Sequence, residues 1–263
     1  MPVTLERILA AHDLLQGIAR RTPVVPAAWL VDQVGGPVHL KCENMQVAGS
    51  FKVRGAYVRL SGLTEAQRER GVVAASAGNH AQGVAVAARA LDIAATVFMP
   101  TGAPLPKVAA TRGYGAQVEF VGDTIDDALE AAAAFEAETG ATLIHPFDHE
   151  DIVVGQATVG VEILDQVPDV RTVVVCTGGG GLVAGIASAL AALAPQVRVI
   201  GVQASGAAAY PPSLAVGHPV ALAHMSTMAD GIAVGRPGRV PFDLIASLGV
   251  EIRTVDEEAL SRA

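Results

Sequence analysis

The feature that most constrains the fold of this chain is a repeated alternation of short apolar runs with longer helix-like segments. Clear strand-like runs lie at Val72–Ser76, Ala94–Met99 and Thr172–Cys176, and each is followed by a segment with helical periodicity. Repeated β-α-β units imply parallel sheets with helices on both faces. The hydrophobic pattern by itself leaves open whether there are one or two sheets.

The same alternation predicts further elements along the chain. Strands are predicted at Val38–Cys42, Val118–Val121, Thr142–Ile144 and Val197–Gln203. Helices are predicted at Thr4 to about Arg20, Lys52–Leu60, Asn79–Leu91, Lys107–Tyr114, His149–Gln166 and Leu182–Leu193. Asp123 is predicted as the N-cap of one more long helix, because a carboxylate can accept the first free amides of a helix.

Composition and charge exclude several classes of protein. The chain is 51% hydrophobic but only 4% aromatic, which suits helices packed on a buried parallel sheet. Its net charge of −8, without a lysine-rich run, argues against nucleic acid or an anionic membrane as a partner. The longest apolar stretch, Leu182–Ala194, has the length of a buried helix and not of a membrane span. We expect a soluble, cytoplasmic protein.

The two cysteines give no sign of a disulfide or of a metal site. Cys42 and Cys176 are far apart, in apolar strand-like runs, and no metal-ligand spacing surrounds them. We expect both to be buried, reduced thiols.

Lys52 is the first candidate for chemistry. It is one of only three lysines, and it lies in the glycine-bounded segment Gly49–Gly55, directly after Phe51. Burial can lower the pKa of a lysine until it acts as a nucleophile or base, whereas arginine stays charged. Such a lysine can form a Schiff base with a carbonyl compound. The alternative is a solvated lysine at a helix start, so the residues that accompany Lys52 decide between them.

A run of four glycines, Gly178, Gly179, Gly180 and Gly181, follows the strand that ends at Cys176. We call these residues the glycine loop. Bare backbone N–H groups at the start of a helix form a site for a phosphate monoester that needs no lysine. A tight turn is the plainer interpretation, but four consecutive glycines each lose backbone entropy on folding. The pattern therefore favours phosphate binding.

Two other nucleotide motifs fit this region less well. Gly179, Gly181 and Ala184 match the dinucleotide-binding pattern G-x-G-x-x-A, but no carboxylate ends the next strand, at Gln203, to hold a ribose. No Gly-Lys-Ser/Thr follows the glycines, so a P-loop is excluded. A nicotinamide cofactor remains the second choice.

A second strand-to-helix turn, Ser76-Ala77-Gly78-Asn79-His80, follows the strand at Val72–Ser76. We call it the carboxylate turn, because its amides and the Ser76 hydroxyl could hold a carboxylate while Asn79 offers an amide donor. By itself, Gly78-Asn79 is more often an ordinary turn. Together with Lys52 and the glycine loop, it describes an amino acid condensed onto pyridoxal phosphate.

These motifs resemble the threonine/serine dehydratase and serine racemase family of fold type II pyridoxal-phosphate enzymes. The resemblance runs from about Thr22 to the last residue and is closest to threonine dehydratase. It rests on several motifs in order: Gly49–Gly55, Ala75–Gly83, Ala103-Pro104 with Lys107, His145–Asp148, Gly155-Gln156, Gly178–Gly181 and Ala229–Ala233.

The resemblance implies a role for each of these residues. Lys52 would carry pyridoxal 5′-phosphate as a Schiff base, with Phe51 against its ring and Asn79 bonded to the ring oxygen. The glycine loop would hold the phosphate, and Gly231 would lie near the ring. The substrate carboxylate would be held by the carboxylate turn, that is by Ser76, Ala77, Gly78, Asn79 and His80.

The resemblance also implies a fold and a reaction. The fold would be α/β and tryptophan synthase β-like, with two parallel-type open sheets flanked by helices. A small domain would span residues 50–147, and a large cofactor-binding domain would span 1–49 plus 148–263. The reaction would be β-elimination of L-threonine or L-serine to a 2-oxo acid and ammonia. Such an enzyme serves amino-acid metabolism, including isoleucine biosynthesis, and we expect a homodimer or homotetramer.

Departures from the family pattern refine this expectation. Racemases of this family typically carry a second serine where Ala77 stands, so elimination is favoured over racemisation. Cysteine synthases typically carry threonine at the position of His80 and aspartate at Val53, which makes β-replacement less favoured. Many relatives bind a divalent cation through a glutamate where this chain has Gln203. Hard cations prefer carboxylates, so we predict no metal there.

The chain ends at Ala263, whereas family members continue to a turn that faces the pyridine nitrogen of the cofactor. We therefore expect a C-terminally incomplete large domain. Three alternatives stay open: an ammonia-lyase, a racemase or other eliminase of the same family, and a non-catalytic protein that binds pyridoxal phosphate or an amino acid. The sequence does not rank threonine against serine.

Overall fold

The computed structural model describes residues 2–263. Its strands are β1 (Val24–Pro26), β2 (His39–Lys41), β3 (Val72–Ala75), β4 (Ala95–Met99), β5 (Gln117–Phe120), β6 (Thr142–Leu143), β7 (Thr172–Cys176), β8 (Arg198–Ala204) and β9 (Glu251–Val255). Its helices are α1 (Leu5–Leu14), α2 (Val31–Val34), α3 (Lys52–Ser61), α4 (Glu65–Arg70), α5 (Asn79–Ala90), α6 (Leu105–Gly113), α7 (Ile125–Thr139), α8 (Glu150–Gln166), α9 (Gly181–Leu193), α10 (Tyr210–Val216), α11 (Arg239–Ser247) and α12 (Glu257–Arg262).

Two parallel sheets organise the chain. One has four strands in the order β5-β4-β3-β6, and the other has three in the order β7-β8-β9. All neighbours within these two sheets are parallel. The prediction of two parallel sheets flanked by helices is therefore confirmed. The division into domains at residues 50–147 and 148–263 stays a prediction.

The N-terminal strands differ from the expected pattern. The predicted strand at Val38–Cys42 is present as β2, but it pairs antiparallel with β1 in a separate two-stranded ribbon. The segment from β2 through α3 to β3 therefore does not connect two strands of one parallel sheet. At the other end of the chain, β9 was not predicted, and it adds a third strand beside β8.

The N-cap of α7 is one residue later than predicted. Thr124, not Asp123, is the N-cap of α7: its hydroxyl accepts a hydrogen bond from the amide of Asp127. The carboxylate of Asp127 accepts in turn from the amides of Asp123 and Thr124 at 2.9 Å each. This reciprocal capping box places Asp123 outside the helix.

The expectation that both cysteines are buried is wrong. Cys42 is half-buried and Cys176 is exposed. Along β7, Val173 and Val175 are buried whereas Val174 is 65% exposed. Cys176 lies on the same face of the strand as Val174, because side chains alternate along a strand. Only one face of β7 is covered, so an apolar strand-like run does not bury every side chain in it.

Close helix packing positions the candidate site. A Cβ on Gly155 of α8 would lie 2.5 Å from the Cα of Gly55 in α3, so the two helices touch through their backbones. A Cβ on Gly185 of α9 would lie 2.6 Å from the backbone of α8, at the carbonyl of Val153. The start of α3 is therefore held close to α8, and α8 close to α9. In residues 2–263, no helix is both long and apolar enough to cross a membrane.

Candidate active site

Lys52 begins α3 and points its amine toward the turn before α8. Nζ donates a hydrogen bond to the carbonyl of Pro146 at 2.8 Å. The amine also lies 5.4 Å from the ring centre of Phe51 and 6.0 Å from that of Phe147. Burial disfavours the charged form and lowers the pKa of Lys52 to about 8. A minority of the amine is therefore neutral near physiological pH, far more than for an exposed lysine with its ordinary pKa.

The three lysines of the chain are clearly different from one another. Lys41 contacts the carboxylate of Glu162 at 2.5 Å, and Lys107 contacts that of Asp230 at 3.1 Å. Lys52 has no carboxylate partner within residues 2–263 and bonds only to a backbone carbonyl. Lys52 is therefore the lysine whose amine is free to become a nucleophile.

The helix that carries Lys52 is anchored by a buried group of charges. The guanidinium of Arg54 is 1% exposed and contacts Glu43 at 2.9 Å and Glu162 at 2.6 Å. It also donates to the hydroxyl of Thr158 at 3.1 Å and to the carbonyl of Arg20 at 3.1 Å. Arg54 lies two residues beyond Lys52, so these bonds fix the first turn of α3 against α8.

The carboxylate turn connects β3 to α5. Ser76 Oγ accepts a hydrogen bond from the amide of Gly78 at 3.1 Å, which closes the turn. Asn79 is the first residue of α5; its side chain is exposed and bonds to no other group of the described residues. Ala77 is half-buried and packs against the core around β3 and β4. The turn thus presents one free amide side chain and a methyl group without a proton to transfer.

His80 is buried behind this turn. Its Nε2 lies 2.7 Å from the carbonyl of Ile144. Burial, and next the charge of Lys52, lower the pKa of His80 to about 3. The ring is neutral at physiological pH, and it joins α5 to the end of β6. Contact of His80 with a substrate stays a prediction.

The glycine loop connects β7 to α9. Gly178 is half-buried, and Gly179, Gly180 and Gly181 are buried. None of the four N–H groups donates a hydrogen bond within residues 2–263. Gly180 has φ of +99°, a conformation that side chains rarely adopt. Unpaired buried amides are costly, so their presence at a helix start indicates a site for an anion.

Phe147 connects the lysine to the glycine loop. A Cβ on Gly179 would lie 2.5 Å from the Phe147 ring, so the ring packs directly on the loop. The same ring is the one that lies 6.0 Å from Lys52 Nζ. The structure thus brings Lys52, Phe51 and the glycine loop to one region.

This arrangement fits pyridoxal phosphate. The glycine loop offers unpaired amides for the phosphate, and Asn79 offers an unpaired side-chain amide. Lys52 offers an amine without a carboxylate partner. A Cβ at Gly179 would fill the cradle beside Phe147, which explains why a glycine is needed there.

Sequence reasoning assigned no role to Pro146, Phe147 or Lys107. Pro146 and Phe147 were noted only as part of a motif, yet they contact the lysine and the loop. The side chain of Lys107 reaches Gly78, with Nζ 3.8 Å from the position of a Cβ there.

Gly231, a predicted site residue, is exposed. Its neighbour Ile232 packs on Gly178, where a Cβ would lie 3.1 Å from the Ile232 Cα.

Gln203 is fully buried and has its own protein partners. Its Oε1 accepts from the amide of Tyr210 at 2.9 Å, and its Nε2 donates to the carbonyl of Ala207 at 3.4 Å. No cluster of three His, Cys, Asp or Glu side chains suited to a metal ion exists in residues 2–263. His145 has a structural role, because its Nδ1 accepts from the amides of Phe147 and Asp148.

Known proteins resemble the chain over its whole length. It is 45% identical to the L-threonine ammonia-lyase of Thermotoga maritima over 99% of this chain and 65% of that protein. The processed form of threonine deaminase isoform 2 from Solanum lycopersicum superposes with a TM-score of 0.94 at 37% identity, over 100% of this chain and 79% of that one. Maize serine racemase superposes with a TM-score of 0.95 at 33% identity, over 100% and 80%.

The chain therefore spans about two thirds of the length of the bacterial relative and about four fifths of the two plant enzymes. The family model described as "Pyridoxal-phosphate dependent enzyme" matches residues 15–263, which include Lys52 and both turns. This chain belongs to the family of pyridoxal-phosphate dependent enzymes.

Proposed function

We propose that this protein catalyses the pyridoxal-phosphate-dependent β-elimination of L-threonine, L-serine or both, to a 2-oxo acid and ammonia. The observation that carries the proposal is the buried amine of Lys52, with its pKa lowered to about 8 and no carboxylate partner. The L-threonine ammonia-lyase of Thermotoga maritima, 45% identical to the chain, supports the same reaction.

Each residue of the candidate site has a role in the proposed reaction. Lys52 would hold the cofactor covalently, Phe51 would pack against its ring, and the glycine loop would bind its phosphate. The carboxylate turn would bind the substrate carboxylate, with Asn79 as the donor to the ring oxygen. Gly231 would lie near the ring. When bound, pyridoxal phosphate supplies the electron sink that makes a proton next to the substrate amine removable.

The amine of Lys52, freed when the substrate amine takes its place on the cofactor, would take that proton at Nζ. A base works best when its pKa lies near the working pH, and the lowered pKa of Lys52 meets this condition. The carbonyl of Pro146 accepts a hydrogen bond from Nζ, so it can hold the protonated amine after transfer. His80 is neutral, with a pKa of about 3, so it adds no positive charge beside the lysine.

A racemase is the second candidate, because maize serine racemase superposes with a TM-score of 0.95. Racemisation needs a proton donor on the face of the α-carbon opposite the lysine. In the carboxylate turn, the proposed opposite face carries Ala77, whose methyl group can give no proton. Elimination is therefore the better supported reaction.

Steady-state assays separate the candidates. With cofactor present, the 2-oxo acid released from L-threonine and from L-serine is measured. The D-serine formed from L-serine is measured in the same assay. We expect 2-oxo acid as the main product, and a fall in its rate of formation of about 10²- to 10⁴-fold in the Lys52→Ala variant. D-serine formed faster than pyruvate would establish the racemase. Bound cofactor without any product would establish a non-catalytic binding protein.

We also propose a homodimer or homotetramer in the cytoplasm. Apolar side chains near the β1–β2 ribbon support the assembly, since Trp29 and Val34 are each 65% exposed. Light scattering after size-exclusion chromatography measures the assembly, and a monomer across the micromolar range would contradict it.

A further inference from the structure

Tyr210 is in direct contact with the glycine loop. It is the first residue of α10, and its side chain is fully buried. Its hydroxyl donates a hydrogen bond to the carbonyl of Gly179 at 3.2 Å. Burial raises the pKa of Tyr210, so the phenol stays protonated and remains a donor.

A second donor fixes the same carbonyl. The amide of Gly238, just before α11, donates to the Gly179 carbonyl at 3.1 Å. In a trans peptide, the carbonyl of one residue and the N–H of the next point in opposite directions. With the Gly179 carbonyl held on the Tyr210 side, the Gly180 N–H must point away from Tyr210. That N–H is one of the unpaired amides of the glycine loop.

Tyr210 is itself held firmly. Its backbone amide donates to Gln203 Oε1 at 2.9 Å, at the end of β8. Its ring stacks on Phe242 of α11, with ring centres 6.3 Å apart and an angle of 25°. A Cβ on Gly180 would lie 1.8 Å from the Tyr210 hydroxyl, so the phenol touches the loop without a gap. The hydroxyl therefore acts from a fixed position.

We propose that Tyr210 is a positioning residue for the phosphate of the cofactor: its hydroxyl turns the Gly179–Gly180 peptide so that the Gly180 N–H faces the anion. The tyrosine does not touch the cofactor. It removes the cost of orienting the amide when the phosphate binds. This inference rests on the proposed assignment of the glycine loop as the phosphate site.

The test compares Tyr210→Phe with Tyr114→Phe. Tyr114 donates a hydrogen bond of the same length, 3.2 Å, to the carbonyl of Val47, away from the glycine loop. Each variant is titrated with pyridoxal phosphate and with pyridoxal, which lacks the phosphate, and the dissociation constants are compared. The ³¹P resonance of the bound cofactor is recorded as a second readout.

Losing one neutral hydrogen bond should raise the dissociation constant of pyridoxal phosphate about three- to tenfold in Tyr210→Phe. Pyridoxal affinity should stay within about twofold, as expected when only the phosphate contacts change. The ³¹P shift should move toward that of free cofactor in Tyr210→Phe, and both readouts should stay at wild-type values in Tyr114→Phe. An equal loss of affinity for both ligands, or an unchanged ³¹P shift, would overturn the role of Tyr210.

A different result would overturn the underlying assignment. If the wild-type protein bound pyridoxal as tightly as pyridoxal phosphate, the glycine loop would not be the phosphate site, and the role of Tyr210 would fall with it. A wild-type preference for the phosphate that Tyr210→Phe leaves intact would overturn only the role of Tyr210.

Discussion

Lys52 and the glycine loop lie at opposite ends of the candidate site, and different contacts hold them. Behind Lys52, the buried guanidinium of Arg54 bonds to two carboxylates. Beneath the glycine loop, the Gly179 carbonyl accepts only neutral donors, from Tyr210 and Gly238. The lysine end should therefore respond to charge and pH. The glycine end should respond to side-chain volume, because its shape depends on missing Cβ atoms.

The largest expected effect follows from removing the buried positive charge of Arg54. Arg54→Met would leave Glu43 and Glu162 with fewer partners in a buried position. Glu162 would keep Lys41, but Glu43 would lose its ion-pair partner, and a buried charge left this way should lower the free energy of unfolding by about 3–5 kcal/mol. Urea unfolding at pH 7 measures the change.

Arg239→Met is the matched control for that substitution. Arg239 pairs with Asp243 on the exposed face of α11, at 2.8 Å. Exposed pairs of this kind contribute little, so we expect a change within about 0.5 kcal/mol. Equal effects of the two substitutions would show that burial of the Arg54 charges does not matter.

Adding a side chain to the glycine loop should lower the stability of the protein. In Gly180→Ala, the new Cβ would lie 1.8 Å from the Tyr210 hydroxyl, at φ of +99°. Strain and overpacking together should lower the free energy of unfolding by about 2–4 kcal/mol. Gly217→Ala separates the two causes, since Gly217 also has positive φ, +79°, but nothing lies within 4 Å of its Cβ position. The contrast fails if Gly217→Ala costs as much as Gly180→Ala.

The smallest expected effect is on the free energy of unfolding at low pH. Hydrogen bonds and charge from Arg54, then from Lys41, hold the pKa of Glu162 below its ordinary value despite its burial. A carboxylate with a lowered pKa in the folded state stabilises the protein above its unfolded pKa, roughly 4.3. That contribution is lost as pH falls through the folded pKa. The free energy of unfolding should therefore fall less steeply in Glu162→Gln than in wild type below about pH 4.3.

This acid response should be confined to the lysine end. The control must change no titrating group, and Gly217→Ala meets this condition. Its curve of unfolding free energy against pH should run parallel to that of wild type between roughly pH 3 and 5. Parallel curves for Glu162→Gln and wild type would contradict the link between Glu162 and acid stability.

Local sequence features were enough to predict much of the fold and both turns. β7 was predicted with the residues it has, and β3 to within one residue, because short apolar runs are bounded by glycine-containing turns. β9 was missed because its sequence, Glu251–Val255, is polar at three of five positions and lies at a sheet edge. Thr124 was missed as a cap because Asp123 beside it is the more favoured capping residue type.

The supports of the site could not be predicted, because they depend on contacts between distant segments. Arg54 meets Glu162 across 108 positions of sequence, and Tyr210 meets Gly179 across 31. No local pattern marks either pair. Phe147 lies in a noted motif, but its place between the lysine and the glycine loop follows only from the packing of α8 on α3 and α9.

Borohydride trapping tests the central claim most directly. The protein is incubated with pyridoxal phosphate, reduced, digested and mapped by mass spectrometry. Only three lysines are present, and Lys41 and Lys107 are paired with carboxylates. We predict the phosphopyridoxyl label on Lys52. A label on Lys41 or Lys107 in place of Lys52 would contradict the assignment of the active site.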